Sequence, residues 1–161
     1  MFFQHIALEI KADMESVTSL TPEGEDFRWY LKLKCLNCGE ESKAFVYLTL
    51  IDSVPLKGGR GHASVVSKCK LCSRENSIDI VKDSYKPYNL EDSGKFKKIA
   101  QFECRGMEPT DFSPRGGWVA NGAESASKFD VDLTEKEWYD FDERSSNPVS
   151  IVEFQYKFSR A

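Results

Sequence analysis

Val152-Glu153-Phe154-Gln155-Tyr156-Lys157-Phe158 alternates throughout. Val152, Phe154, Tyr156 and Phe158 fall on one side, and Glu153, Gln155 and Lys157 on the other. A side-chain period of two is that of a strand with one face on a core and one in water. The same period recurs along the chain. Ile6, Leu8 and Ile10 alternate with Ala7 and Glu9, and Trp29, Leu31 and Leu33 with Tyr30, Lys32 and Lys34. Ile78 and Ile80 flank Asp79, and Phe129, Val131 and Leu133 alternate with Asp130 and Asp132. The run from Phe45 to Ile51 is almost continuously apolar and predicts a strand buried on both faces. Ala63–Lys68 and Ile99–Cys104 are also predicted strands. No window longer than two turns carries a 3.6-residue stripe. The one helical candidate is short, a capping box of Thr134 and Glu137 followed by Trp138. The predicted fold class is all-β, a sandwich or barrel.

The chain has 161 residues, 40% of them hydrophobic, 30% charged and 12% aromatic. That supports a packed core and argues against disorder, which is poor in aromatics. The length predicts a single domain spanning residues 1–161. Formal charge is −4, so a nucleic-acid role would require a local basic patch, and nucleic acid is not the expected partner. No stretch approaches the roughly 18 apolar residues of a membrane span. Met1-Phe2-Phe3-Gln4-His5 lacks the basic n-region of a secretory signal. A cytoplasmic protein, or one shared with the nucleus, is therefore expected, with its thiols reduced.

That compartment gives the five cysteines their meaning. Four form two close pairs, Cys35-x2-Cys38 and Cys69-x2-Cys72. Lys34-Cys35-Leu36-Asn37-Cys38-Gly39-Glu40 is echoed by Lys68-Cys69-Lys70-Leu71-Cys72-Ser73-Arg74, and predicted strands flank each copy. Two hairpins with cysteines at their tips form a zinc-ribbon-like pair of knuckles, placed within residues 28–82. Two residues between cysteines let a tight turn aim both sulfurs at one point, and two such turns complete a tetrahedron at Zn–S distances of about 2.3 Å. Gly39 suits the positive φ such a turn needs; Ser73 stands at the matching place in the second. Complete sulfur ligation leaves no open position, so the predicted Zn²⁺ is structural. Lys32, Lys34, Lys43, Lys68 and Lys70 could offset its net charge of about −2. A dithiol redox pair normally sits at a helix N-terminus, and here both pairs lie between strands. An iron–sulfur cluster could use the same four sulfurs. Neither His5 nor His62 falls in a ligand-like cluster.

Cys104 is left over. It reads as a core thiol, or as a reactive thiol activated by Arg105. No base-plus-orienter set accompanies it. Lys57-Gly58-Gly59-Arg60-Gly61 could cradle an anion or serve as a plain strand connection. Asp83–Lys95 is polar and reads as a boundary. Gly106–Ser127, with its prolines and glycines, reads as a long irregular segment, either functional or packed over a barrel end by Phe112 and Trp118. Asp130, Asp132, Glu135, Glu137, Asp140, Asp142 and Glu143 read as a solvated face. Trp29, Trp118 and Trp138 read as core, or as the lining of a groove.

Several longer stretches carry a resemblance. They are Gly24–Lys32 leading into Cys35–Glu40, Asp52–Gly61, Cys69–Ile78 and Phe102-Glu103-Cys104-Arg105-Gly106. In these the chain resembles the eukaryotic CXXC motif-containing zinc-binding protein family, over nearly its whole length. The resemblance implies one all-β domain, a pseudobarrel or sandwich of two sheets, with one zinc held by Cys35, Cys38, Cys69 and Cys72. No enzymatic activity comes with it. The expected function is a non-enzymatic, monomeric zinc protein that presents a surface to a protein partner. The alternatives are a zinc-stapled thiol oxidoreductase using Cys104, and a zinc-ribbon nucleic-acid module using Lys57, Arg60 and the knuckle lysines.

Overall fold

A computed structural model describes residues 3–52, 54–55, 62–63 and 65–161. In chain order its strands are β1 (Phe3–Glu15), β2 (Val17–Pro22), β3 (Trp29–Cys35), β4 (Val46–Leu48), β5 (Val54–Pro55), β6 (His62–Ala63) and β7 (Val65–Lys68). There follow β8 (Glu75–Ile80), β9 (Lys97–Arg105), β10 (Met107–Ser113), β11 (Trp118–Gly122), β12 (Lys128–Val131), β13 (Trp138–Asp142) and β14 (Asn147–Arg160). The all-β expectation holds, and the hydrogen-bonded ladders divide these strands among four sheets. The largest runs β13-β14-β1-β9-β8-β7; two three-stranded sheets run β10-β3-β4 and β12-β11-β2, and β5 pairs with β6. Every pairing among the described residues is antiparallel.

Alternation predicts the strands, and departures from it mark the bends. In β14 Val149 and Ile151 are buried, but the next buried residue is Phe154. The parity changes because Lys11 faces Gln155 while Asp13 faces Val152, so the single residue Ala12 opposes two. Glu153, inside this bulge, takes φ +56°. A bulge of this kind moves all later side chains to the opposite face. Val152 therefore does not share the face of Phe154, Tyr156 and Phe158, as the sequence pattern predicts. The apolar run at Phe45–Ile51 also yields less than predicted. Only Val46–Leu48 is strand, at the edge of its sheet, with Tyr47 and Ile51 exposed and Leu48 buried. A single face is covered.

The segment 106–127 is not irregular. It contains β10 and β11, hidden in the sequence by Pro109, Pro114 and the glycines. Pro109 sits where the ladder to β3 slips register, a place where a missing N–H is tolerated. Phe112 and Trp118 are buried. They meet Trp29, which is fully buried and packed against Phe27, Tyr85 and Phe102 as well. The Trp29 indole N–H donates to the Tyr85 hydroxyl at 2.6 Å. Trp138 is half-buried against Phe129.

The 83–95 stretch lies against the main sheet. Tyr88 is fully buried and bridges Leu20, and its hydroxyl lies 2.6 Å from the carbonyls of both Asp92 and Lys95. The capping box belongs here, where Asn89 and Asp92 frame a single 3-10 turn, Leu90–Asp92. Thr134–Glu137 forms a turn instead of a helix. The Thr134 hydroxyl donates to Asp132, and no apolar stripe follows to stabilise a helix. Six of the seven acidic residues from Asp130 to Glu143 are exposed as expected. Asp142 is buried, and its carboxylate accepts from the Ser125 and Ser127 hydroxyls and the Arg144 N–H. The Ser125 hydroxyl in particular holds its carboxyl below the usual aspartate range.

Candidate metal centre

β3 ends at Cys35, and β7 hands over to Cys69. From there the two turns are built identically. The Cys35 N–H donates to the Glu40 carbonyl and the Gly39 N–H to the Cys35 carbonyl, each at 2.8 Å. In the second turn the Cys69 N–H donates to the Arg74 carbonyl and the Ser73 N–H to the Cys69 carbonyl, again at 2.8 Å. Closing this loop requires a left-handed residue just after the second cysteine. Gly39 supplies it at φ +81° and Ser73 at φ +64°. The serine accepts a conformation that glycine reaches without steric cost.

The two turns meet at their sulfurs. Cys35, Cys38, Cys69 and Cys72 all place Sγ within 4.8 Å of one another. Cys35 Sγ lies 3.8 Å from Cys72 Sγ, and Cys38 Sγ 3.5 Å from Cys69 Sγ. Disulfide bonding needs about 2.05 Å, and all four are free thiols. A regular tetrahedron with Zn–S bonds of about 2.3 Å has edges of about 3.8 Å. The sulfur set thus has the size of a zinc tetrathiolate. The four cysteines form one possible zinc site, the only such cluster of metal-ligating side chains among the described residues.

Further hydrogen bonds hold this arrangement. Arg74, closing the second turn, donates to the Asn37 side-chain oxygen inside the first at 3.3 Å. The Leu36 N–H donates to the Gly106 carbonyl at 2.9 Å, which ties the first turn to the β9–β10 connection. Asn76, on β8, is buried beneath it. Its amide nitrogen, turned toward Gly106, donates to the Gly106 carbonyl at 3.1 Å and the Glu75 carbonyl at 3.3 Å; turned the other way it serves Cys35 Sγ. Gly106 has φ +74°, and a Cβ there would fall 2.2 Å from the Asn76 side chain. A side chain at 106 would displace Asn76, which ties β8 to the β9–β10 connection beneath the first turn.

The sulfurs do not ionise alike. Burial opposes charge on Cys35, but the Cys38 N–H, the Asn76 amide and the Asn37 N–H overcome it and lower its pKa to about 6. Hydrogen bonds from the Asn37 side chain and the Arg74 N–H lower Cys72. At Cys38 the Glu40 N–H favours the thiolate, yet burial and the three neighbouring sulfurs outweigh it, raising the thiol to about 12. Without a cation the set cannot carry four charges, which is the chemistry of a site made for one. Beside it lies a cavity of about 560 Å³, lined by apolar Leu33, Val46, Val65 and Met107 and by charged Glu40, Glu41, Lys43, Lys68 and Lys70. Lys32 is not among these cations and stacks over the Phe45 ring at 5.1 Å.

Cys104 is apart from this group. It is buried on β9, with Sγ facing the Phe102 carbonyl at 3.9 Å. Burial, with the Glu108 and Glu103 carboxylates adding to it, pushes its thiol up to about 12. Arg105 does not activate it; the guanidinium donates to Glu103 at 3.0 Å and stacks on Phe3. His5 faces Glu103 at 3.8 Å. The Lys57–Gly61 loop and the His62 side chain lie outside the described residues.

Known proteins share the fold. A family model described as CXXC motif containing zinc binding protein, eukaryotic, matches residues 7–159. The chain belongs to that family. The Mus musculus protein of the same name is 58% identical over 154 residues, 95% of this chain and 96% of its own length. The Homo sapiens protein is 56% identical over the same share of each. A crystal structure of C1orf123 superposes with a TM-score of 0.94 at 55% identity, covering 98% of this chain and 99% of that one. A hypothetical protein from Plasmodium falciparum shares the fold at TM-score 0.88 and 22% identity, covering 97% of this chain and 99% of that one. Family membership and the four convergent sulfurs together make this a zinc-binding protein with a single possible site among the described residues.

The sequence does not announce the supporting shell. Asn37 carries a weak signal, since it lies inside a CxxC turn. Asn76 and Gly106 carry none, because their role depends on β8 and the β9–β10 connection meeting in space.

Proposed function

We propose that the protein is a non-enzymatic, intracellular zinc protein. Cys35, Cys38, Cys69 and Cys72 hold one structural Zn²⁺, and the stapled β fold presents a surface to a protein partner. The observation that carries this reading is the sulfur set, four free thiols at tetrahedral spacing. When bound, the ion supplies a cross-link between the β3 and β7–β8 arms and offers no vacant position to a substrate. Free thiols at that spacing also suit a reducing compartment.

The oxidoreductase reading depends on Cys104, and its surroundings oppose it. The thiolate is the nucleophile, and a thiol raised to about 12 is almost wholly protonated at neutral pH. The zinc-loaded protein is expected to resist iodoacetamide at Cys104 at neutral pH and to label there only after denaturation. Peptide mapping by mass spectrometry reads this directly. Native labelling at the rate of an ordinary free thiol, or turnover of a sulfoxide or disulfide substrate that Cys104→Ala abolishes, would refute the non-enzymatic reading.

A further inference from the structure

The outer face of the β10-β3-β4 sheet is built from cations and rings. Along β3 the buried side chains are Trp29, Leu31 and Leu33, so Tyr30, Lys32 and Lys34 point outward, with Arg28 just before them. Tyr30 lies directly opposite Tyr47 on β4, and their rings are 5.9 Å apart. Arg115, just beyond β10, stacks on Tyr30 at 3.7 Å, and Arg28 stacks on Tyr47 at 4.4 Å. Tyr47 is 43% exposed.

The two arginines keep no carboxylate partner among the described residues. Among the described residues Arg28, Lys32, Lys34 and Arg115 form no ion pair. Asp52 acts on Arg28 only from beyond ion-pair distance. The other nearby carboxylates accept hydrogen bonds from neutral donors. Glu41 accepts from the Thr110 hydroxyl, Glu108 from Gln4, and Asp111 from the Tyr156 hydroxyl. Asp111 and Glu108 stand opposite Lys32 and Lys34 in the β10–β3 ladder, and Glu41 bridges Lys34, so the positive charge left without a facing carboxylate is that of Arg28 and Arg115, at the tyrosine end of the face.

We propose that this face docks an acidic segment of the partner protein, its carboxylates paired with Arg28 and Arg115. The inference deepens the interaction role proposed above and rests on it. A guanidinium stacked on a ring is held flat, and its in-plane N–H groups remain available for bidentate pairing with an anion. Arg115 donates Nε to Ser113, and none of its nitrogens meets a carboxylate among the described residues. Tyr and Arg are also residue types that concentrate binding energy at protein interfaces. Single-stranded nucleic acid fits less well. Its bases need open ring faces, and here cations of the protein itself already cover Tyr30, Tyr47 and Phe45.

The test uses the zinc-loaded full chain and fluorescence anisotropy at low salt, with a fluorescein-labelled oligoglutamate as probe and oligouridylate as competitor. The oligoglutamate is expected to bind, and to weaken as salt rises. Arg28→Ala with Arg115→Ala should weaken it by about tenfold or more. The two Arg→Lys changes should recover only part, since charge returns without the planar fork. Lys136→Ala, at a remote turn, should change nothing. Zinc content and circular dichroism of each variant confirm the fold. No binding by the intact chain, equal binding by the double variant, or tighter binding of oligouridylate would each overturn the proposal. A zinc-loaded protein that fails to bind refutes this face alone; a protein that takes no zinc refutes the scaffold reading itself.

Discussion

Stripping the metal with a chelator is expected to lower the melting temperature by about 15 °C or more, and Cys69→Ser should do the same. Structural zinc contributes on the order of 10 kcal/mol in small zinc domains, comparable with the whole stability of a typical domain, about 5–15 kcal/mol. Each kcal/mol moves the midpoint of a chain this size by about 2–4 °C. The loss should be local before it is global. The arms that carry the turns are short: β4 has three residues and β7 four. β1 and β14, at 13 and 14 residues, pair along nearly their full length. Hydrogen exchange in the stripped protein should therefore rise over residues 29–48 and 65–80 while β1 and β14 stay protected. Metal loading should also weaken as pH falls, since protons compete with the ion for the thiolates. A midpoint that moves by only a degree or two on chelation would show that the arms do not depend on the site.

Trp29→Ala should produce the other large effect, by a different route. Trp29 is fully buried and makes ring contacts with Phe27, Tyr85, Phe102, Phe112 and Trp118. Truncating a buried tryptophan costs about 3–5 kcal/mol. The Tyr85 hydroxyl would also lose its 2.6 Å partner, which adds about 1–3 kcal/mol if water cannot replace it. The expected fall in melting temperature is about 10–20 °C, with loss of near-ultraviolet aromatic signal. Zinc content should remain unchanged, because Trp29 opens β3 and Cys35 closes it. Trp138→Ala, at the half-buried edge, should cost much less. A melting temperature for Trp29→Ala within a few degrees of wild type would show that this cluster is not the centre of the core.

How far the sequence can be read depends on how local each signal is. The zinc turns are spelled out within seven residues apiece, so Cys35, Cys38, Cys69 and Cys72 are legible at once. The structure adds that Ser73 takes the same left-handed turn as Gly39. Strands with plain alternation are legible too, as around Ile6, Leu8 and Ile10, all buried on β1, and around Trp29. Features set by distant partners are not. The bulge at Glu153 lies where β14 shifts register against β1 at Ala12, and nothing near Glu153 announces it. Pro109 and the glycines around Trp118 look like loop chemistry, yet β3 and β2 draw both segments into sheets. Phe45–Ile51 promises more strand than it forms, because an apolar run does not reveal how many faces a neighbour will cover. Tyr47 and Ile51 remain exposed. Asp142 looks like its acidic neighbours until Ser125 and Ser127 fold over it.

The proposed role of the protein rests on four thiolates closing around one zinc and leaving it no vacancy. Zinc K-edge X-ray absorption on the purified protein, with metal content measured on the same sample, tests this most directly. One zinc per chain and a single shell of four sulfurs at about 2.3 Å are expected. A nitrogen or oxygen in that shell, fewer than four sulfurs, or cysteines joined as disulfides in place of the metal would contradict it.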